Sequence, residues 1–126
     1  MIFLLIKWYY NYRNHKILLQ HKFSCVIHFA ALKAVSESCM IPLDYYKTNV
    51  TGMLNLLEVM RDNNVKNLIF SSSATVYGVP EKLPLNESMR TGNCTNPYGK
   101  TKYTCEEILK DLCVSDKVSI SIWYKK

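Results

Sequence analysis

The sequence predicts an α/β fold, a parallel sheet with flanking helices, and three observations carry that expectation. Short apolar runs at residues 24–30, 66–71 and 118–123 have the near-continuous hydrophobicity of strands covered on both faces. Two longer stretches, 43–62 and 98–114, repeat their apolar residues at helical spacing. The order strand, helix, strand, loop, helix, strand is that of a βαβαβ unit, in which each crossover returns the chain to a parallel neighbour.

Each element has its own justification. Ser24-Cys-Val-Ile-His-Phe-Ala30 is a strand with His28 as a core histidine. Pro42 precedes the first long helix, whose stripe is Val50, Met53, Leu54, Leu57 and Met60, and Asn63-Asn64 closes it. Lys66-Asn-Leu-Ile-Phe-Ser71 is the second strand, with a serine run at its carboxyl end. Residues 78–97 hold three prolines and two glycines, which makes them a loop. Loops longer than about 12 residues in compact domains are often functional. The helix from Tyr98 carries Cys105, Ile108, Leu109 and Leu112 on one side, and Val118-Ser-Ile-Ser-Ile-Trp123 is the third strand.

Residues 1–23 stand apart as an unassigned basic and aromatic segment, and 24–126 form the α/β domain. The apolar start Ile2–Ile6 is ended by Lys7. That is short of the about 7–15 residues of a signal core and the about 20 of a spanning helix, so no membrane role is expected. The chain has a formal charge of +6, but residues 1–36 hold five bases and no acid, whereas the rest holds 11 bases and 10 acids. The excess is a front-end feature, not a basic face, which argues against nucleic acid as a partner. Five cysteines, none spaced as CxxC, suggest neither a disulfide framework nor a metal site. They fit reduced thiols in the cytoplasm. The sequons at Asn49, Asn86 and Asn93 read as accidental.

In open parallel sheets, ligands bind beyond the carboxyl ends of the strands. Both 29–33 and 71–73 occupy such ends, so candidate chemistry converges on one edge. Tyr98 and Lys102, four residues apart at a helix start, share a face. A free phenol has a pKa near 10 and is a feeble base at neutral pH. A neighbouring ammonium and the helix N-terminus both favour its phenolate. Alone, this pair reads more readily as a surface helix pair, and Ser71–Ser73 as an ordinary strand end. Asn96-Pro97 fixes the entry to the helix, and the serine-rich strand end supplies a second hydroxyl.

Together, several segments in order resemble the UDP-glucose 4-epimerases of the extended short-chain dehydrogenases/reductases. They are His28-Phe-Ala-Ala-Leu-Lys-Ala-Val-Ser-Glu-Ser38, Pro42-Leu-Asp-Tyr-Tyr46, Asn49-Val-Thr-Gly52, Val65-Lys-Asn-Leu-Ile-Phe-Ser-Ser-Ser-Ala-Thr-Val-Tyr-Gly78 and Asn96-Pro-Tyr-Gly-Lys-Thr-Lys102. The resemblance spans residues 26–113 and implies a partial Rossmann-like, NAD-binding epimerase domain. It implies that Tyr98 is the base for the sugar's 4-hydroxyl, with Lys102 favouring the phenolate and holding the nicotinamide ribose. Ser73 would bind the same sugar oxygen, beside Ala74 and Thr75. Phe29, Ala30, Lys33 and Asn49 would line the cofactor, NAD, which takes and returns the hydride at carbon 4 of a UDP-hexose. A homodimer is implied for the full-length form. Related dehydratases and decarboxylases tend to carry an acid just after the strand's hydroxyl, because eliminating water needs one. Ala74 stands there, which favours epimerisation.

The chain departs from that family at both ends. Its glycines, Gly52, Gly78, Gly92 and Gly99, form no phosphate-cradling loop, and its first acid is Glu37. The expectation is a truncated chain that lacks the N-terminal glycine-loop unit and the C-terminal substrate domain. Two alternatives stay open: an inactive remnant serving as a binding or dimerisation module, and another NAD-dependent nucleotide-sugar epimerase or dehydratase.

Overall fold

The structure, a computed structural model, describes residues 23–115 and 119–123. Three strands form one parallel sheet in the order β1 (Val26–His28), β2 (Asn67–Ser71) and β3 (Ser119–Trp123). Val26 lies opposite Leu68, and Ser71 opposite Trp123. The expected βαβαβ order is therefore the one observed, with β2 central.

The first crossover is more divided than the sequence suggested. It consists of α1 (Val35–Met40), α2 (Pro42–Tyr45), a π-helical turn (Tyr46–Thr51) and α3 (Gly52–Asp62). Helix α1 was not expected, since six residues with Ser36, Glu37 and Ser38 show no apolar period. Pro42 starts α2 at its first turn, where its missing N–H costs nothing. Asn64 ends α3 in the left-handed region, at φ 54°. Its N–H reaches the Arg61 carbonyl at 3.0 Å, and the Val65 N–H reaches that of Met60 at 2.8 Å. These are the two bonds of a Schellman cap, and the Met60 and Val65 side chains join the core as that motif favours.

The core comprises Val26, Met53, Leu56, Met60, Val65, Leu68, Phe70, Cys105 and Leu109. Burying a side chain such as Leu68 or Phe70 contributes about 1.5–3 kcal/mol. The expected α3 stripe is corrected here. Leu54 is 42% exposed, whereas Leu56 and Val59 are buried, because the face turned to the sheet runs through Gly52, Met53, Leu56 and Met60. In α4 (Pro97–Ser115) the buried face is Tyr98, Thr101, Lys102, Cys105, Glu106 and Leu109. Ile108 and Leu112, expected on it, are half-buried at its margin. Two functional-looking polar residues thus occupy core positions.

Candidate active site

The site is built where β2 ends against the start of α4. Ser73 follows the strand in extended conformation and caps a 3₁₀ turn, Ala74–Tyr77, its Oγ accepting from the Thr75 N–H at 3.3 Å and the Thr75 hydroxyl at 3.0 Å. Gly78, at φ 65°, ends the turn, and a Cβ there would collide with the Asn93 carbonyl oxygen at 1.9 Å. The 78–96 loop is tied back by the Gly92 N–H to the Val76 carbonyl at 2.9 Å.

Asn96 caps α4, its Oδ1 accepting from the Gly99 N–H at 2.8 Å. Gly99 lets this first turn press onto the 3₁₀ turn. A Cβ at 99 would lie 2.9 Å from the Thr75 carbonyl oxygen and 3.2 Å from its hydroxyl. Tyr98 is adjacent, so the serine turn and the tyrosine are joined by backbone contact. Tyr98 is buried and meets Tyr45 edge-on, with centroids 6.4 Å apart at 82°. Tyr45 is fixed as a donor, to the Ala34 carbonyl at 2.8 Å and the Glu37 carboxylate at 2.7 Å. Burial, and next the Glu37 carboxylate, push its phenol up to about 12.

Lys102 reaches from the next turn to the strand end. Its Nζ donates to the Ser71 carbonyl at 2.8 Å and stands 4.7 Å from the Phe70 ring centroid. An ammonium over an aromatic face is attracted by the ring quadrupole. The side chain is 4% exposed, and burial pulls its pKa from 10.5 to about 8. It therefore remains mainly charged at pH 7. One Nζ proton serves Ser71, leaving two for other partners.

Asn49 sits in the π-helical turn, buried, with its side chain fully engaged. Its Oδ1 accepts from the Leu32 N–H at 2.9 Å, and its Nδ2 donates to the Leu32 carbonyl at 2.9 Å and the Thr101 hydroxyl at 3.1 Å. It thereby clamps the 29–33 segment to α4, and its sequon is enclosed. Phe29 and Lys33 lie exposed just past β1, Phe29 by 54%, while Ala30 is half-buried. Ala74 and Thr75 are half-buried beside Ser73.

Two groups escaped the sequence reading. Glu106 is wholly buried and accepts a hydrogen bond from the Ser72 hydroxyl. Its signal was an acid falling on the buried face, four residues after Lys102 and three before Leu109. Tyr45 with Glu37 is the second, and no local pattern marks it, because its partners are brought in by the unexpected helix α1.

The residues present fit the nicotinamide end of a dinucleotide better than its phosphates. An exposed aromatic and a buried ammonium flank the strand ends, but no glycine turn among the described residues offers backbone amides to a pyrophosphate. No described helix is long and apolar enough to cross a membrane.

A family profile described as GDP-mannose 4,6 dehydratase matches residues 11–124. The chain is 64% identical over 101 residues to the UDP-glucose 4-epimerase of Drosophila melanogaster, covering 80% of this chain and 29% of that protein. It is 58% identical over 102 residues to the human enzyme of the same name, again 29% of that protein. The crystal structure of UDP-glucose 4-epimerase from Bifidobacterium longum, in complex with NAD+ and UDP, superposes with a TM-score of 0.84 at 47% identity. That match covers 86% of this chain and 33% of that one. The chain thus spans under a third of the length of these curated relatives. Its Rossmann-like α/β sheet and its sequence agree: the chain belongs to the extended short-chain dehydrogenase/reductase family of nucleotide-sugar enzymes, alongside the UDP-glucose 4-epimerases.

Proposed function

We propose that this chain carries the proton-transfer half of an NAD-dependent UDP-hexose 4-epimerase, which interconverts UDP-glucose and UDP-galactose in its full-length form. The observation that supports the reading is the meeting of the β2 end with the start of α4: Lys102 bonds the Ser71 carbonyl, and Gly99, next to Tyr98, lies against Thr75, two residues from Ser73. Tyr98 as phenolate takes the proton of the sugar's 4-hydroxyl and later returns it to the same oxygen. Ser73 orients that oxygen from the strand end, with Ala74 and Thr75 beside the sugar. Lys102 supplies the positive charge that favours the phenolate, and its remaining Nζ protons suit a ribose. NAD, when bound, supplies the acceptor and donor of the hydride. Phe29, Ala30 and Lys33 would face it, and Asn49 would hold their segment in place.

Ala74 follows Ser73 where water elimination would need an acid, which supports epimerisation over dehydration. The phosphate cradle would come from sequence beyond these residues, as would the grip on uridine. A homodimer is proposed for that longer form, in the cytoplasm.

One observation favours a second reading, a binding module without catalysis. Leu54, Leu57, Met60, Val65, Ile108 and Leu112 help line a groove of about 510 Å³ between α3 and α4, an apolar surface a partner would cover. The deciding measurement is conversion of UDP-galactose to UDP-glucose by the longest translated form, beside its Tyr98→Phe variant. Turnover that disappears in the variant supports the epimerase. A folded, NAD-free protein with no turnover supports the binding module. The 126 residues alone are expected to release no nicotinamide when denatured.

A further inference from the structure

Lys102 is drawn into a place where an ammonium is costly. It is almost fully buried, against an aromatic ring and one carbonyl. Buried charges persist when an opposite charge and hydrogen bonds compensate them. Groups around it among the described residues can be named. From β1 comes His28, held neutral because burial, and then Lys102 itself, lower its pKa to about 4. From β2 come Phe70 and the Ser71 carbonyl, and the π-helical turn's Asn49, uncharged, bonds the preceding residue, Thr101. On α4 itself lie Tyr98, Cys105, whose thiol burial pushes up to about 12, and Glu106. Among the described residues around Lys102, Glu106 is the acid.

Glu106 lies one helical turn beyond Lys102 on the same buried face. The strand end holds both: the Ser71 carbonyl takes the lysine and the next residue's hydroxyl takes the glutamate. The Ser72 hydroxyl donates to a carboxyl oxygen of Glu106, one of the hydrogen bonds that a buried carboxylate needs.

We propose that the buried Ser72–Glu106 pair is a positioning device for Lys102, whose carboxylate keeps the lysine charged at the end of β2. Glu106 acts through the lysine and touches no substrate. The catalytic consequence rests on the epimerase reading, since only there does Tyr98 need a charged neighbour at neutral pH. The electrostatic claim does not. Burial lowers Lys102 to about 8, opposed by Cys105 and then Glu106. The Cys105 thiol, pushed up to about 12, carries no charge in the neutral range, so the opposing charge there is that of Glu106. Removing the carboxylate would let the ammonium lose its proton within the neutral range.

Glu106→Gln separates charge from tether, because the glutamine oxygen can still accept from Ser72. The test is a pH titration of the Lys102 ε-carbon resonance in the full 126-residue chain, labelled with 13C-lysine and assigned by the signal lost in Lys102→Arg. The midpoint is expected to fall by about one pH unit or more in Glu106→Gln, a tenfold loss of proton affinity. A smaller fall is expected in Ser72→Ala, and none in the control Glu107→Gln, which breaks an exposed pair with Lys110. An unchanged midpoint in folded Glu106→Gln overturns the proposal. If that variant loses its dispersed spectrum, Ser72→Ala decides: a lowered midpoint supports the device and an unchanged one overturns it. Failure of the epimerase reading would show as absent turnover and leave these midpoints where they are.

Discussion

The two sides of the candidate site are built differently. On the proton side, Tyr98 and Lys102 are buried and Ser73 half-buried; Ser73 and Lys102 hold defined hydrogen bonds, and a glycine contact fixes the turn on which Tyr98 stands. On the cofactor side, Phe29 and Lys33 lie open past the end of β1, positioned through the backbone of Leu32. The difference teaches that preorganisation here is local. The groups proposed to move a proton are locked by the elements carrying them, while the surface proposed to meet NAD is held by its chain and left exposed.

The largest expected effect breaks the proton side at its chemistry. Tyr98→Phe removes one oxygen from a buried ring, so the fold should persist while turnover in the epimerising form falls by roughly 10²–10⁴, the usual worth of a general base. Equal melting curves with lost kcat would confirm the assignment, and retained kcat would remove it. Next comes Asn49, the link between the two sides. Asn49→Ala deletes three hydrogen bonds and strands the Leu32 N–H and carbonyl, which should cost about 3 kcal/mol by urea unfolding. A loss under 1 kcal/mol would mean that the 29–33 segment is held by other contacts.

His28 tests the interior beneath the site. Its pKa falls from 6.5 unfolded to about 4 folded, mainly through burial. Between those values the unfolded chain binds more protons, so stability rises with pH across that window. The contribution is complete above pH 6.5 and lost as pH drops to about 4, a change on the order of 3 kcal/mol. His28→Gln should flatten that slope, as chemical denaturation at pH 4.5 and 7 would show. An equal slope in the variant would place the acid sensitivity elsewhere.

How much was legible in the sequence follows the same division. The strands, the Asn64 stop and the Asn96-Pro97 entry were readable because hydrophobic period and capping chemistry are local. Helix α1 was not, since it is held by tertiary bonds such as Tyr45 to Glu37, made across a turn that local propensity does not encode. Leu54 was misplaced on the core face because several faces of a helix rich in apolar residues satisfy the same spacing rule, and only the sheet selects one. Tyr98, Lys102 and Ser73 were singled out by their spacing and by resemblance, and the structure ties Lys102 to the end of β2. Glu106 was passed over because an acid in a helix normally faces water, and its burial depends on Ser72 arriving from another element.

The smallest effect on stability is expected at Phe29, and it sharpens the contrast most directly. Phe29 and Phe70 are the same residue type near the ends of adjacent strands, yet one is 54% exposed and the other 1%. Phe70→Ala should cost about 3–5 kcal/mol, because it empties the core and removes the ring beneath Lys102. Phe29→Ala should change unfolding free energy by less than about 0.5 kcal/mol, as surface substitutions do. In the epimerising form the same change should raise the NAD dissociation constant, because a ring left open by its own fold is available to a ligand. If Phe29→Ala instead lowers the unfolding free energy by more than about 1 kcal/mol while the folded variant keeps its NAD affinity, the open side is structural surface, and the cofactor must be met by other residues.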